Sequence, residues 1–283
     1  MVERRFGIDR ICIVESLPPA ERLGVDLRDR LVADQVFAIE DIELVPINGR
    51  EDFGTTLQRL TDEVRDGHGI PLVHLELHGA KPGILFEDGT VARWRDMEEL
   101  LRNLNVSTRN NLVVVLGSCR SYYLSSILLP TKPSPVFGLV GTTEDVPEVA
   151  VRHGFPAFYR VLCAAGDVVA ATAELQRHHA DYVAMSAEYL FNKAWERYAA
   201  TDLTDERVAF RTDEMLRQAR AEGRVPIEEG TVRTDIRARL VDGASATRQK
   251  FRARFLMMDL FPENHDRFAE DPSVSDHSSS GGP

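Results

Sequence analysis

Cysteine is scarce in this chain. Cys12, Cys119 and Cys163 are too few and too scattered for a disulfide scaffold, and their odd number suits a reducing compartment. Long apolar runs are missing as well: nothing approaches the roughly 18 consecutive residues a membrane-spanning helix needs. The opening "MVERRFGIDRICIV" has charges but no apolar segment leading to a small-residue cleavage site, which argues against secretion and for a cytoplasmic protein. No G-x-x-x-x-G-K-[ST], G-x-G-x-x-G after the first strand, H-E-x-x-H or G-x-S-x-G occurs, so nucleotide hydrolysis, dinucleotide chemistry and serine hydrolysis lose their usual support. Neither a cofactor nor a metal is implied, and no internal repeat is visible. Positive charge is also short. The net charge is −11, and residues 176–268 are balanced, so most of the excess acid lies in the front half, which would repel a nucleic-acid backbone.

What the chain does have, in its first 175 residues, is alternation of strand and helix patterns. "RICIVES" (10–16) and "IELVPI" (42–47) read as short strands, and Phe53, Leu57, Leu60 and Val64 fall at helical spacing. "PLVHLELHG" is a third strand, followed by a hairpin-like 84–92 with the turn pair Asp88-Gly89. "RDMEELLRNLNV" (95–106) is an amphipathic helix, "NLVVVLGSC" (111–119) a buried strand and "SPVFGLVGT" (134–142) another. Residues 157–177 are helical with a break near Gly166. This alternation predicts an α/β domain over 1–175 with a mostly parallel sheet, whose functional groups gather beyond the C-terminal strand ends. From 176 onward strand signals vanish. Residues 181–200 read as helix, 204–223 as a helix capped by Thr204 and stopped by Gly223, and 231–258 as one or two more with a break near Asp242-Gly243. A helical accessory region over 176–268 and a disordered tail over 269–283 are expected. The basic "RQKFRARF" (248–255) reads as a solvated helix face rather than a nucleic-acid patch.

Two side chains carry the chemistry. Cys119 leaves an apolar strand through Gly117-Ser118, has Arg120 beside it, and precedes "RSYYLSSILL", which can open a helix whose N-terminus favours a thiolate. A lone buried cysteine is more often a small core hydrophobe, the reading given to Cys12 and Cys163. A thiolate nucleophile needs an imidazole, and His78 ends a strand on the same rim. The N–H groups of Gly79 and Cys119 are the candidate oxyanion donors. His74 and Glu76 share a strand face with His78 and read as hydrogen-bonded support beneath the site. A zinc set of His74, His78 and Cys119 is weak, because i and i+4 on a strand stand roughly 13 Å apart. Glu144 and Asp145, after strand 134–142, can either receive a basic substrate side chain or cap the next helix.

The succession "VHLELHG", "GILFEDGTV", "DMEELLRNLN", "NLVVVLGSCRS" resembles the CHAT branch of the caspase-like cysteine peptidases, over about residues 70–175. That resemblance implies a caspase-like three-layer α/β sandwich with a helical extension. It also implies His78 as catalytic histidine, Cys119 as nucleophile, and an intracellular endopeptidase cutting a protein substrate, with bacterial conflict or immune effectors among its relatives. Arg120 stands where small or acidic residues are common in that family. The alternative is a catalytically silent caspase-like scaffold that binds a protein partner through its helices.

Overall fold

The computed structural model describes residues 7–36, 39–223, 230–232, 234–235 and 244–269. The expected break near Asp242-Gly243, and all but the first residue of the expected disordered tail 269–283, lie outside the described residues. Its frame is an eight-stranded mixed sheet, mostly parallel. β1 (Arg10–Ser16), β2 (Ile42–Pro46), β3 (Pro71–Ala80), β6 (Val113–Leu116), β7 (Gly138–Thr142) and β8 (Tyr182–Ser186) run in the order β2-β1-β3-β6-β7-β8, with β8 antiparallel to β7. A small hairpin, β4 (Gly83–Leu85) and β5 (Val91–Arg93), extends the far end of β3.

The apolar runs become the central strands because both sheet faces are covered. Ile11 to Val14, Leu72 to Leu75 and Val113 to Leu116 are all fully buried. The chain moves one way from β1 to β2 through α1 (Leu23–Ala33), then the other way through α2 (Arg50–Arg65) and α3 (Trp94–Ser107). Right-handed crossovers therefore put α1 on one face and α2 with α3 on the other. α2 packs on α3 and buries Phe53, Leu57 and Leu60, as their spacing predicts. α1 packs on α4 (Glu148–Ala165), and α4 on α5 (Val168–His178). The break expected near Gly166 is real: this residue takes φ +64°, and Asp167 caps α5 by accepting from the Val169 and Ala170 N–H groups.

Residues 176–200 need a correction. Tyr182–Ser186 is not helix but strand β8, and a division at 175/176 falls inside α5. The strand escapes a periodicity reading because its last residue, Ser186, is already the N-cap of α6 (Ala187–Asp202), with no glycine or proline between them. α7 (Asp205–Ala221) starts at the predicted cap, Thr204 accepting from the Arg207 N–H, and Gly223 follows its end at φ +73°. α8 (Ala244–Phe255) and α9 (Glu263–Arg267) return to the sheet domain: Ser134 N–H donates to the Phe255 carbonyl, and Phe255, Leu256 and Phe268 belong to the same core as β6 and β7. The basic stretch on α8 is partly internal wiring. Arg252 bonds Glu188 and the Phe268 carbonyl, and Arg248 bonds Asn192. Among the described residues, no helix is long and apolar enough to cross a membrane.

Candidate active site

Strand order reverses between β1 and β3, and in open α/β sheets such a reversal opens a crevice at the C-terminal strand ends. β3 reaches this rim and changes partner there. Its parallel ladder with β6 closes at Leu75–Leu116, and His78, Gly79 and Ala80 pair instead with β4. Gly117 N–H still donates to the Leu75 carbonyl at 2.9 Å, so the chain after β6 continues alongside β3 toward Cys119. His78-Gly79 and Cys119 thereby meet. A Cβ on Gly79 would collide with the Cys119 carbonyl oxygen and lie 3.1 Å from the Cys119 nitrogen, so glycine is what lets the two backbones touch.

Cys119 is half-buried. Its sulfur accepts the Val146 N–H at 3.3 Å, a donor suited to a thiolate. The residue after it, Arg120, is in the left-handed region at φ +54°, ψ +24°, uncommon for a side-chain-bearing residue and held here by several ties. Arg120 N–H donates to the Glu144 carbonyl, and its guanidinium bonds both Asp145 oxygens at 2.8 and 3.0 Å. The expected helix beyond Cys119 is a seven-residue 3₁₀ segment, Ser121–Ile127, so no α-helical dipole of any length stands behind the sulfur. Glu144 and Asp145 lie on the loop that supplies Val146, beside Cys119. They do not cap α4, whose N-cap is Pro147.

The alternation of His74, Glu76 and His78 has a physical reason. Strand alternation puts all three on one face; His74 and Glu76 meet α4 there and are completely covered. His74 Nε2 bonds Glu76 Oε1 at 2.6 Å and its Nδ1 bonds the Tyr159 hydroxyl at 2.8 Å, with Phe155 edge-on to the imidazole. The Glu76 carboxylate lies over Gly117, where a side chain would collide with it. Burial and the Glu76 charge both push the Tyr159 phenol well above its ordinary range, so it stays a neutral hydroxyl. The expected support beneath the site is present, and its third member, Tyr159, carries no sequence signal that sets it apart from the apolar face of α4.

The other two cysteines differ. Cys12 is fully buried on β1 and burial pushes its thiol up to about 12. Cys163, expected to be a packing residue, is exposed on α4, though desolvation of its thiol raises it to about 11. No group of three or more metal-ligating side chains forms among the described residues, and His74 is tied to Glu76 and Tyr159. Sequence reasoning missed Glu21, whose Oε2 stands 3.5 Å from His78 Nε2, and the Val146 backbone; both come from loops with no periodic signature. No protein-family model matches the chain, and no curated protein matches it significantly.

Proposed function

We propose that the protein is a caspase-like cysteine endopeptidase that cleaves a protein substrate through a Cys119 acyl-enzyme. The observation that carries this reading is the meeting of His78-Gly79 with Cys119 at the strand ends beside the switch point, backbone against backbone. His78 takes the Cys119 thiol proton, and the sulfur adds to the scissile carbonyl. The C–N bond then breaks, and the leaving amine takes the proton from the imidazolium. Water adds to the thioester with His78 as base, releasing the acid and restoring the thiol.

Developing negative charge on the carbonyl oxygen would fall to the N–H groups of Gly79 and Cys119. The hairpin supports this for Gly79. With Lys81-Pro82 as its two-residue loop, Ala80–Gly83 is the closing bonded pair, and alternation makes Gly79–Ile84 the pair that does not exchange ladder bonds. For the substrate side chain, Asp145 is already committed to Arg120, so of the two loop acids Glu144 is the one left to attract a basic group. A second reading, a silent scaffold, would draw on apolar side chains such as Phe210 and Met215, each exposed on α7.

Cys119→Ala, His78→Ala and the unaltered chain, each mixed with a bacterial lysate and read by mass spectrometry for new protein N-termini, separate the two. An endopeptidase yields N-termini that both variants abolish, with Arg or Lys enriched before the cut if Glu144 serves the pocket. Fragments that persist in Cys119→Ala end the enzyme reading.

A further inference from the structure

We propose that Glu21 is the positioning residue of His78, making the centre a set of three: Cys119, His78 and Glu21. The inference rests on the dyad reading above. Glu21 Oε2 stands 3.5 Å from His78 Nε2, within ion-pair range but not hydrogen-bonded; catalytic hydrogen bonds are often long or poorly aligned until substrate tightens them. The carboxylate selects the tautomer with hydrogen on Nε2. That leaves Nδ1 as the nitrogen free to accept the Cys119 proton. Once the imidazolium forms, the same carboxylate is its counter-charge; no proton moves to Glu21.

The loop between β1 and α1 is built to hold that carboxylate in place. Pro18 and Pro19 restrict the backbone, and Glu21 N–H closes a turn on the Pro18 carbonyl at 2.8 Å. Just beyond, Gly24 N–H donates at 2.5 Å to Glu15 of β1, which fastens the start of α1 to the sheet. A Cβ on Gly24 would sit 2.9 Å from Glu15 Oε1 and from the Ile13 side chain, so this fastening also needs a glycine. Glu21 therefore projects from an anchored turn over the crevice between β1 and β3. Both partners of the pair are about half exposed, at 51% and 40% for their side chains, so the effect is moderate and sensitive to salt.

The test is the rate at which iodoacetamide, a neutral probe, alkylates Cys119 in the full chain near pH 7, mapped by peptide mass spectrometry with buried Cys12 as internal reference. Glu21→Gln should slow Cys119 about two- to fivefold at low salt, the range expected of a half-exposed charge pair. Glu21→Asp should restore part of the loss. Salt at about 1 M should bring the unaltered chain down to the rate of Glu21→Gln while leaving that variant unchanged, a response that altered packing would not produce. A Glu21→Gln rate equal to the unaltered chain, or a difference that salt does not touch, overturns the role of Glu21. His78→Ala keeps the two readings apart. If it leaves the Cys119 rate unchanged, the dyad itself fails; if it slows Cys119 while Glu21→Gln does not, only the third member is lost.

Discussion

Two glycines carry as much of the candidate site as its reactive side chains do. Gly79 and Gly117 each stand where a methyl group would collide: with the Cys119 backbone carbonyl in one case, with the buried Glu76 carboxylate in the other. Neither takes a positive φ, so the demand is for space and not for backbone freedom. Gly79→Ala must push the β3 end away from the Cys119 turn. Overpacking of this kind costs about 1–3 kcal/mol, and here the displaced groups are those of the candidate site. The expected outcome is a lower urea midpoint together with slower Cys119 alkylation. The opposite test site is Gly67, where a methyl group would meet nothing within 4 Å but φ is +88°, so alanine there should strain the backbone and leave Cys119 alkylation as it was. A Gly79→Ala chain that melts and alkylates like the original would show that the two backbones are not in contact.

At the scale of elements, Glu15 shows how a charged residue comes to lie in a buried strand. α1 begins without a side-chain cap of its own, and the β1 carboxylate accepts the orphan N–H groups of Gly24 and Val25 instead. Burial is the larger influence and raises the Glu15 carboxyl above its ordinary range; the Gly24 N–H opposes it and the neighbouring Glu76 adds to it. For an acid raised in the folded state, its contribution to stability is full below the ordinary carboxylate range and is lost as pH rises through the folded value. Glu15→Gln keeps an acceptor for Gly24 and removes the titration. Urea unfolding at pH 4 and pH 7 should then show the unaltered chain losing more stability across that interval than the variant does. Carboxylates held low by arginines, Glu63 and Asp34 among them, contribute the opposite slope, but equally in both chains. An identical slope in the two would mean that Glu15 is not shifted upward. Such wiring also marks the limit of what the sequence discloses. His78 and Cys119 were legible because each follows an apolar strand pattern and ends at a glycine-bearing rim. β8 was hidden because strand and helix abut at Ser186, and Glu21 because its nearness to His78 depends on how two distant loops meet.

Over the whole molecule, the question is whether residues beyond 178 are an attachment or part of the fold. β8 pairs along its full length with β7, from Gly138–Ser186 to Thr142–Tyr182. Tyr182, Met185, Leu190, Phe191 and Phe255 are buried, and Phe155 of α4, the residue edge-on to His74, rests its ring against Tyr182 at 5.7 Å. Burial of each large side chain contributes about 1.5–3 kcal/mol, so five of them together match the roughly 5–15 kcal/mol by which a domain is stable. Removing the segment would also strip β7 of a neighbour and uncover the aromatic face of α4 that encloses His74. A chain ended at His178 should therefore show no cooperative thermal transition by circular dichroism and rapid proteolysis throughout, where the full chain melts in one step. Were the C-terminal half a separate docking module, the shortened chain would keep a sharp transition and the Cys119 alkylation rate of the whole. In the interlocked case Cys119 alkylates at the rate of an unfolded cysteine, because the face that holds His74 and Glu76 beneath the site no longer exists.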